Sequence, residues 1–347
     1  MNKTPFFSVI MPVYGVEDTL EAAVNSVLAQ SFSNFELILV DDCSPDRSGE
    51  ICDKLKEKDN RIKVIHKPKN EGLGYARNTG IKNCCGVYIS FMDSDDIIEK
   101  ETLQILYGYI CESNADIYAF GLVQDYVNEN GVVQKSNSLG LKPCVANTLK
   151  DIAQLAIELD IQRNFAYACS KIYKADFIKE NGFLFEDIRL VEDFVFNIAV
   201  FPKAEKVVVV DDILYHYIKP PHTTLGSTYN AKFYEICCMR YDKEYELLKN
   251  CGVEDEKYLQ AIKNIHIKHL LSVFVKDLSP AAKLNNKQRK LHIKEILNDA
   301  KTVKILKDSH SASKAIKVLE FVFKHKMVTL SAVLAKVYFQ IQKSRNK

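Results

Sequence analysis

Four short apolar runs, FFSVIMPVY, FELILV, IKVIH and VYISFM, fall within the first 110 or so residues, each separated from the next by a segment of helical period. Nearly continuous apolar runs of this length suit strands covered on both faces, the situation of a parallel sheet. Between the first two runs Leu20, Ala23, Val24, Val27 and Leu28 follow an i, i+3, i+4, i+7, i+8 stripe, with Asp18 placed to cap the start and Glu21 three residues on. Further helices are expected through Ile51 and Leu55 and from about Gly74 to Asn83. Strands alternating with helices predict a doubly wound α/β sheet.

Beyond this region ADIYAFG reads as another strand and YVNENGVVQ as a hairpin turning at Asn130-Gly131. From Asn230 the pattern is helical, with helices expected over 230–250, 254–277, 286–299 and 311–341, the last without internal Gly or Pro. A chain of 347 residues, 47% hydrophobic, has material for a full core and a second, smaller unit, divided here as 1–225 and 226–347. Charge divides unevenly: from Lys301 onward there are 11 basic and 2 acidic side chains, a net of +9, against 36 basic and 43 acidic before it, a net of −7. A basic tail of this kind predicts a partner of its own. The ten cysteines include no C-x-x-C pair and read as reduced thiols. The chain enters an apolar strand at Phe6 without a cleavable signal pattern, and no uncharged apolar stretch reaches the ~18 residues of a membrane span. These features predict a cytoplasmic protein whose contact with a membrane is peripheral.

In open α/β sheets ligands bind beyond the carboxyl ends of the strands. Pro12, Val13 and Tyr14 close the first run, Asp41 and Asp42 the second, and Asp93, Asp95 and Asp96 the last, making an acidic crevice. Crowded carboxylates raise one another's pKa unless a cation or hydrogen-bond donors offset the repulsion. Mg²⁺ or Mn²⁺, shared between hard carboxylate oxygens and a phosphorylated ligand, is one such offset. The segment NEGLGYARNTGI adds Gly72 and Gly74 for close backbone approach and Arg77 for permanent positive charge. It is not a dinucleotide fingerprint, because it follows the third strand and Arg77 stands where G-x-G-x-x-G, counted from Gly72, needs its last glycine.

Taken in order, SVIMPVY, LVDDCSPD, NEGLGYARNTGI, FMDSDD and VEDFVF resemble the inverting family 2 glycosyltransferases of the GT-A fold, nucleotide-sugar enzymes of surface polysaccharide synthesis. The resemblance covers about residues 5–220. It implies a GT-A, Rossmann-like nucleotide-sugar-binding domain with a helical C-terminal extension, and a UDP-sugar as the default donor. It also implies that Pro12, Val13, Tyr14 and Asp42 hold the nucleoside and that Arg77 stands by the nucleotide. The Asp93, Ser94 and Asp95 triplet matches the family's D-x-D, which implies that its carboxylates carry a metal on the donor diphosphate, with Asp96 as a further candidate for that work. An acceptor hydroxyl must lose its proton as it attacks, so a base is required. The resemblance makes Asp193 that base and Glu192 its neighbour near the acceptor, although acidic residues at a helix N-terminus are also favoured by the dipole alone. Lys171 matches a family lysine, while Lys219 and His222 stand where relatives carry an arginine-containing loop over the diphosphate; all three are candidate acceptor or diphosphate ligands.

Two other readings fit parts of the pattern: a nucleotidyltransferase, which the Glu192-Asp193 pair argues against, and a catalytically silent glycan-binding or scaffold subunit. The tail is too apolar for a nucleic-acid arm. Its mixture of Ile316, Leu319, Val322, Phe323, Leu330, Leu334, Val337 and Phe339 with five lysines predicts a helix lying on an anionic membrane surface, where a lipid-linked saccharide acceptor is found.

Overall fold

The computed structural model describes residues 4–188, 190–221 and 229–345, and the chain divides into two compact units, residues 1–220 and 221–347. The first unit opens as the apolar runs require: β1 (Phe7–Val13), α1 (Leu20–Leu28), β2 (Phe35–Asp41), α2 (Ser48–Lys58), β3 (Ile62–His66), α3 (Leu73–Asn83) and β4 (Tyr88–Phe91). It continues with β5 (Ile97–Ile98), α4 (Thr102–Ser113), β6 (Ile117–Val127), β7 (Val133–Leu139), β8 (Cys144–Ala146), α5 (Leu149–Ile161), β9 (Lys171–Lys174), α6 (Ala175–Glu180), α7 (Glu192–Val200) and β10 (Val207–Lys219).

The ten strands among the described residues join one sheet whose main path runs β3-β2-β1-β4-β9-β6-β10-β5, with β7 on β6 and β8 on β10. The β3-β2-β1-β4 half is parallel, as continuous burial of β1 and β2 on both faces demands. The other half, beyond the region for which a parallel sheet is expected, is mixed: β9 enters antiparallel to both β4 and β6. The hairpin at Asn130-Gly131 is present, with Gly131 at φ 73°. Helix α1 begins at Leu20, one residue after Thr19, and Asp18 does not cap it. Helix α3 lies directly on β1 because Gly80 has no side chain; a Cβ there would stand 2.2 Å from Ile10 Cγ2.

The second unit holds α8 (Phe233–Asn250), α9 (Glu256–Lys276), α10 (Asn286–Asn298), α11 (Ala300–Lys307), α12 (Lys314–Lys324) and α13 (Val328–Arg345). Its core gathers Ile267, Leu270 and Phe274 of α9 with Ile293 and Leu297 of α10 and with Val322 and Phe323 of α12. The single helix expected over 311–341 is broken into α12 and α13 by a turn at which Lys326 takes φ 52°, without any Gly or Pro. Ile316, Val322 and Phe323 are core residues, with Leu319, Leu334 and Phe339 packed against them, so these six are not available to a membrane. Among the described residues no helix is long and apolar enough to cross one.

Candidate active site

The carboxyl ends of β1, β2 and β4 lie side by side, and short polar bonds fasten the loops that follow them. Val16 N donates to Ser48 Oγ at 3.0 Å and Glu17 N to Asp46 Oδ2 at 3.1 Å, tying the loop after β1 to the loop after β2. Thr19 Oγ1 donates to the backbone carbonyl of Ser94 at 3.2 Å, tying it also to the loop after β4. Pro12 and Val13 are buried in β1, and Val13 O accepts from Asp42 N at 2.9 Å, so their side chains shape the strand while Tyr14 is the exposed residue at its end. Ser94 is buried within the turn.

Asp42 faces the glycine-containing segment. Its carboxylate accepts from Gly72 N at 2.7 Å and Glu71 N at 3.1 Å, and pairs with Lys67 Nζ at 2.6 Å. The φ of 99° at Gly72 is open to glycine and costly to other residues. In this state Asp42 therefore organises the loop from Lys67 to Gly72, where the sequence reading assigned it to the nucleoside.

Arg77 joins the turn after β4 to the Glu192-Asp193 pair. Only 1% exposed, its guanidinium donates to Asp93 Oδ1 at 2.8 Å through one terminal nitrogen and to Asp193 Oδ1 through the other. The Phe185 ring lies 5.1 Å from its Cζ, and Phe185 stacks on Phe196 of α7 with centroids 4.1 Å apart. Burial works against the charged guanidinium, but the carboxylates of Asp193, Asp93 and Glu192 outweigh it and push its pKa further up. A residue 16 positions before one partner and 116 before the other thus fixes both acidic motifs in one place.

The three aspartates after β4 have different surroundings. Asp96 is fully buried: Tyr215 Oη donates to one oxygen at 2.6 Å and Ile218 N to the other at 2.8 Å. Burial and the nearby Asp95 and Asp93 raise its pKa well above the carboxylate range. Tyr215 Oη also accepts from Asp93 N at 3.1 Å, so Asp96 acts through Tyr215 to position the turn, and the metal-ligand role expected for it is not what this geometry offers. Asp95 is turned to solvent and its carboxylate has no side-chain hydrogen bond among the described residues. Loss of hydration in the crowded turn and the charge of Asp93 lift its pKa to about 6, while Lys219 pulls the other way. No group of three or more Asp, Glu, His or Cys among the described residues is arranged to hold a metal. Asp95 with the outer oxygen of Asp93 is the kind of sparse oxygen set that suits Mg²⁺ or Mn²⁺ when phosphate oxygens complete the shell.

At the start of α7, Asp193 is pinned on both sides: Arg77 takes Oδ1, and Ala168 N donates to Oδ2 at 2.8 Å. Glu192 differs from it. Among the described residues its Oε2 is buried without a hydrogen-bond partner, and burial together with the charge of Asp193 raises its pKa.

Lys171 corrects an expectation. It is fully buried, and its Nζ donates to Asn164 O at 2.8 Å, Asn164 Oδ1 at 3.2 Å and Tyr167 O at 2.7 Å. Burial lowers its pKa to about 7, while three oxygen acceptors favour the ammonium form. With all three donors used, it braces the turn that presents Ala168 N to Asp193 and does not reach a diphosphate or acceptor. Lys219, at the end of β10, lies 3.9 Å over the Tyr217 ring, near enough to the acidic turn to feel Asp96 and Asp95. His222 lies outside the described residues.

The model for "Glycosyl transferase family 2" matches residues 8–182. The chain belongs to that family. This glycosyltransferase is 33% identical over 253 residues to the "Uncharacterized glycosyltransferase EpsJ" of Bacillus subtilis strain 168, across 72% of this chain and 71% of EpsJ. It is 31% identical over 237 residues to "Poly(ribitol-phosphate) beta-N-acetylglucosaminyltransferase TarS" of Staphylococcus aureus strain MW2, across 66% of this chain but 39% of TarS. In fold it is similar to the crystal structure of S. aureus TarS 1–349 in complex with UDP, with a TM-score of 0.61 at 23% identity, covering 96% of this chain and 91% of that one.

Three parts of the glycosyltransferase's site were not singled out from sequence. Lys67 directly follows β3, so the rule that selected the other strand ends also selects it. Tyr215 and Ala168 carry no such signal: one is an aromatic inside a strand, and the other contributes only its backbone.

Proposed function

We propose that this glycosyltransferase moves a sugar from a UDP-sugar to a hydroxyl of a saccharide or lipid-linked saccharide, with inversion at the anomeric carbon. The single observation that carries this reading is Arg77, which holds Asp93 of the donor turn and Asp193 of α7 on one buried guanidinium. Donor charge and acceptor base then share a common frame. The acceptor oxygen attacks the anomeric carbon from the face opposite the diphosphate, the bond to the diphosphate oxygen breaks, and the hydroxyl proton passes to Asp193. Tyr14 and the loop held by Asp42 border the nucleoside. Lys219 stands near the departing diphosphate. Asp95 and Asp93 would hold Mn²⁺ or Mg²⁺, which when bound would supply positive charge to the leaving group.

A second assignment of the base has its own support. Arg77 and Ala168 N already occupy both oxygens of Asp193, whereas Glu192 has a buried oxygen without a partner among the described residues and a raised pKa. Purified protein is incubated with a panel of nucleotide sugars and Mn²⁺ or Mg²⁺, and nucleotide release is scored. The proposal expects UDP release from one UDP-sugar, reduced about 10²–10⁴-fold by Asp193→Asn and much less by Glu192→Gln. The reverse order transfers the base to Glu192. No release from any donor, with or without saccharide acceptors, rejects the transferase reading in favour of a silent subunit.

A further inference from the structure

With Ile316, Val322 and Phe323 inside the core of the helical unit, the outward faces of α12 and α13 ought to be polar, and they are not. On α12, Lys314, Lys317, Val318 and Phe321 stand at i, i+3, i+4 and i+7 and so share one face, with Phe321 57% exposed. On α13, Leu330, Val333 and Val337 stand at i, i+3 and i+7, away from the buried Ser331 and Ala335, with the two valines 47% and 51% exposed. The turn between the helices adds exposed Lys326 and Met327, and Lys336 borders the α13 stripe.

The charge on this surface has one sign. From His310 to the last residue Glu320 is the one carboxylate side chain in the sequence. It is buried, bonded to Ser309 Oγ at 2.9 Å, Lys324 Nζ at 2.8 Å and Ser311 N at 3.2 Å, so it neutralises nothing outside. Along the flank of α13 a groove of about 210 Å³ repeats the theme, with Phe274, Ile293 and Ala335 below and Arg289, Lys290 and Lys336 on its walls.

We infer that α12 and α13 form a docking face for an anionic lipid bilayer. Exposed aliphatic and aromatic side chains beside lysines match an acyl boundary beneath negative headgroups. A second copy of the chain is a poor occupant, because an isologous contact sets this lysine-bearing face against itself with no exposed carboxylate to pair with it. The inference does not rest on the proposed transfer reaction, and its test contains no nucleotide.

The full chain is sedimented with vesicles of phosphatidylcholine alone and of phosphatidylcholine mixed with phosphatidylglycerol, over a range of salt. Binding is expected to favour the anionic vesicles by at least about tenfold and to weaken with salt. Val333→Asp with Val337→Asp should abolish it. Lys314→Gln with Lys317→Gln should weaken it about 25-fold, at about fivefold per lysine. Circular dichroism checks folding; if the aspartate pair unfolds the unit, the glutamine pair decides. Equal binding to both vesicle types, no binding to either, binding untouched by the substitutions, or a concentration-dependent dimer broken by the aspartate pair in place of vesicle binding would each overturn the inference.

Discussion

Replacing Arg77 with methionine keeps much of the side-chain stem and removes the guanidinium. Two charge-assisted hydrogen bonds disappear, to Asp93 and Asp193, each worth about 1.5–3 kcal/mol. Asp93 and Asp193 are 25% and 17% exposed, so water rehydrates them in part, and the net cost is expected at about 3–5 kcal/mol, the range for breaking a buried pair. For a unit of this size that lowers the melting temperature by about 6–20 °C. Hydrogen exchange at the amides of β1 and α3 reports the stability of this unit without interference from the helical one. Because the guanidinium is buried, the loss should change little between low and high salt. Adding Asp193→Asn to Arg77→Met should cost less than the sum of the two single substitutions, by about 1–3 kcal/mol. Additive effects, or a loss under about 1 kcal/mol for Arg77→Met alone, would refute the claim that this arginine holds the two acidic motifs together.

Other expectations follow from the same geometry. Gly80→Ala should destabilise the unit by about 1–3 kcal/mol in denaturant melts, because its Cβ meets Ile10 Cγ2 at 2.2 Å. The resulting shift of α3, which carries Arg77, should lower turnover as well. Lys171→Met should cost about 1–3 kcal/mol by removing three hydrogen bonds and leaving the buried Asn164 Oδ1 without this donor; retained stability with lost nucleotide affinity would restore Lys171 as a ligand. Asp95→Asn should abolish any enhancement of UDP binding by Mn²⁺, read by calorimetry, whereas Asp96→Asn should reduce stability first. His66 donates toward Asp41 and Asp53, which raise its pKa above the ordinary value near 6.5. Its stabilisation is therefore complete below about pH 6.5 and lost as pH rises through the higher folded value, a decline that His66→Gln should flatten in melts across pH 6–9.

The parallel half of the sheet was legible because its information is local: strand length, apolar continuity and the polar residues that end each run. The same rule located Tyr14, Asp42 and Asp93. What it could not distinguish was three aspartates within four positions, since their fates depend on partners far along the chain. Asp96 turns inward to Tyr215 and Ile218, 119 and 122 residues away, Asp93 is half-turned to Arg77, and Asp95 is the most exposed of the three. Lys171 was misread for a similar reason, because its acceptors are carbonyl and amide oxygens that no side-chain pattern announces. The break between α12 and α13 carries no proline or glycine; it follows Val322 and Phe323, which are buried in the core with Phe323 edge-on to Phe274 of α9, and helical periodicity alone did not reveal it.

β10 is threaded between β6 and β5, and its tyrosine reaches back to the acidic turn. A chain cut just before Val207 therefore leaves a vacant slot inside the sheet, with the long β6 bared along one side and β5 without a neighbour. Such a fragment would be prone to self-association through its open backbone groups. It would also be a receptor for a synthetic peptide of residues 207–219, which supplies the missing strand by complementation and returns the tyrosine hydroxyl to the site in the same step.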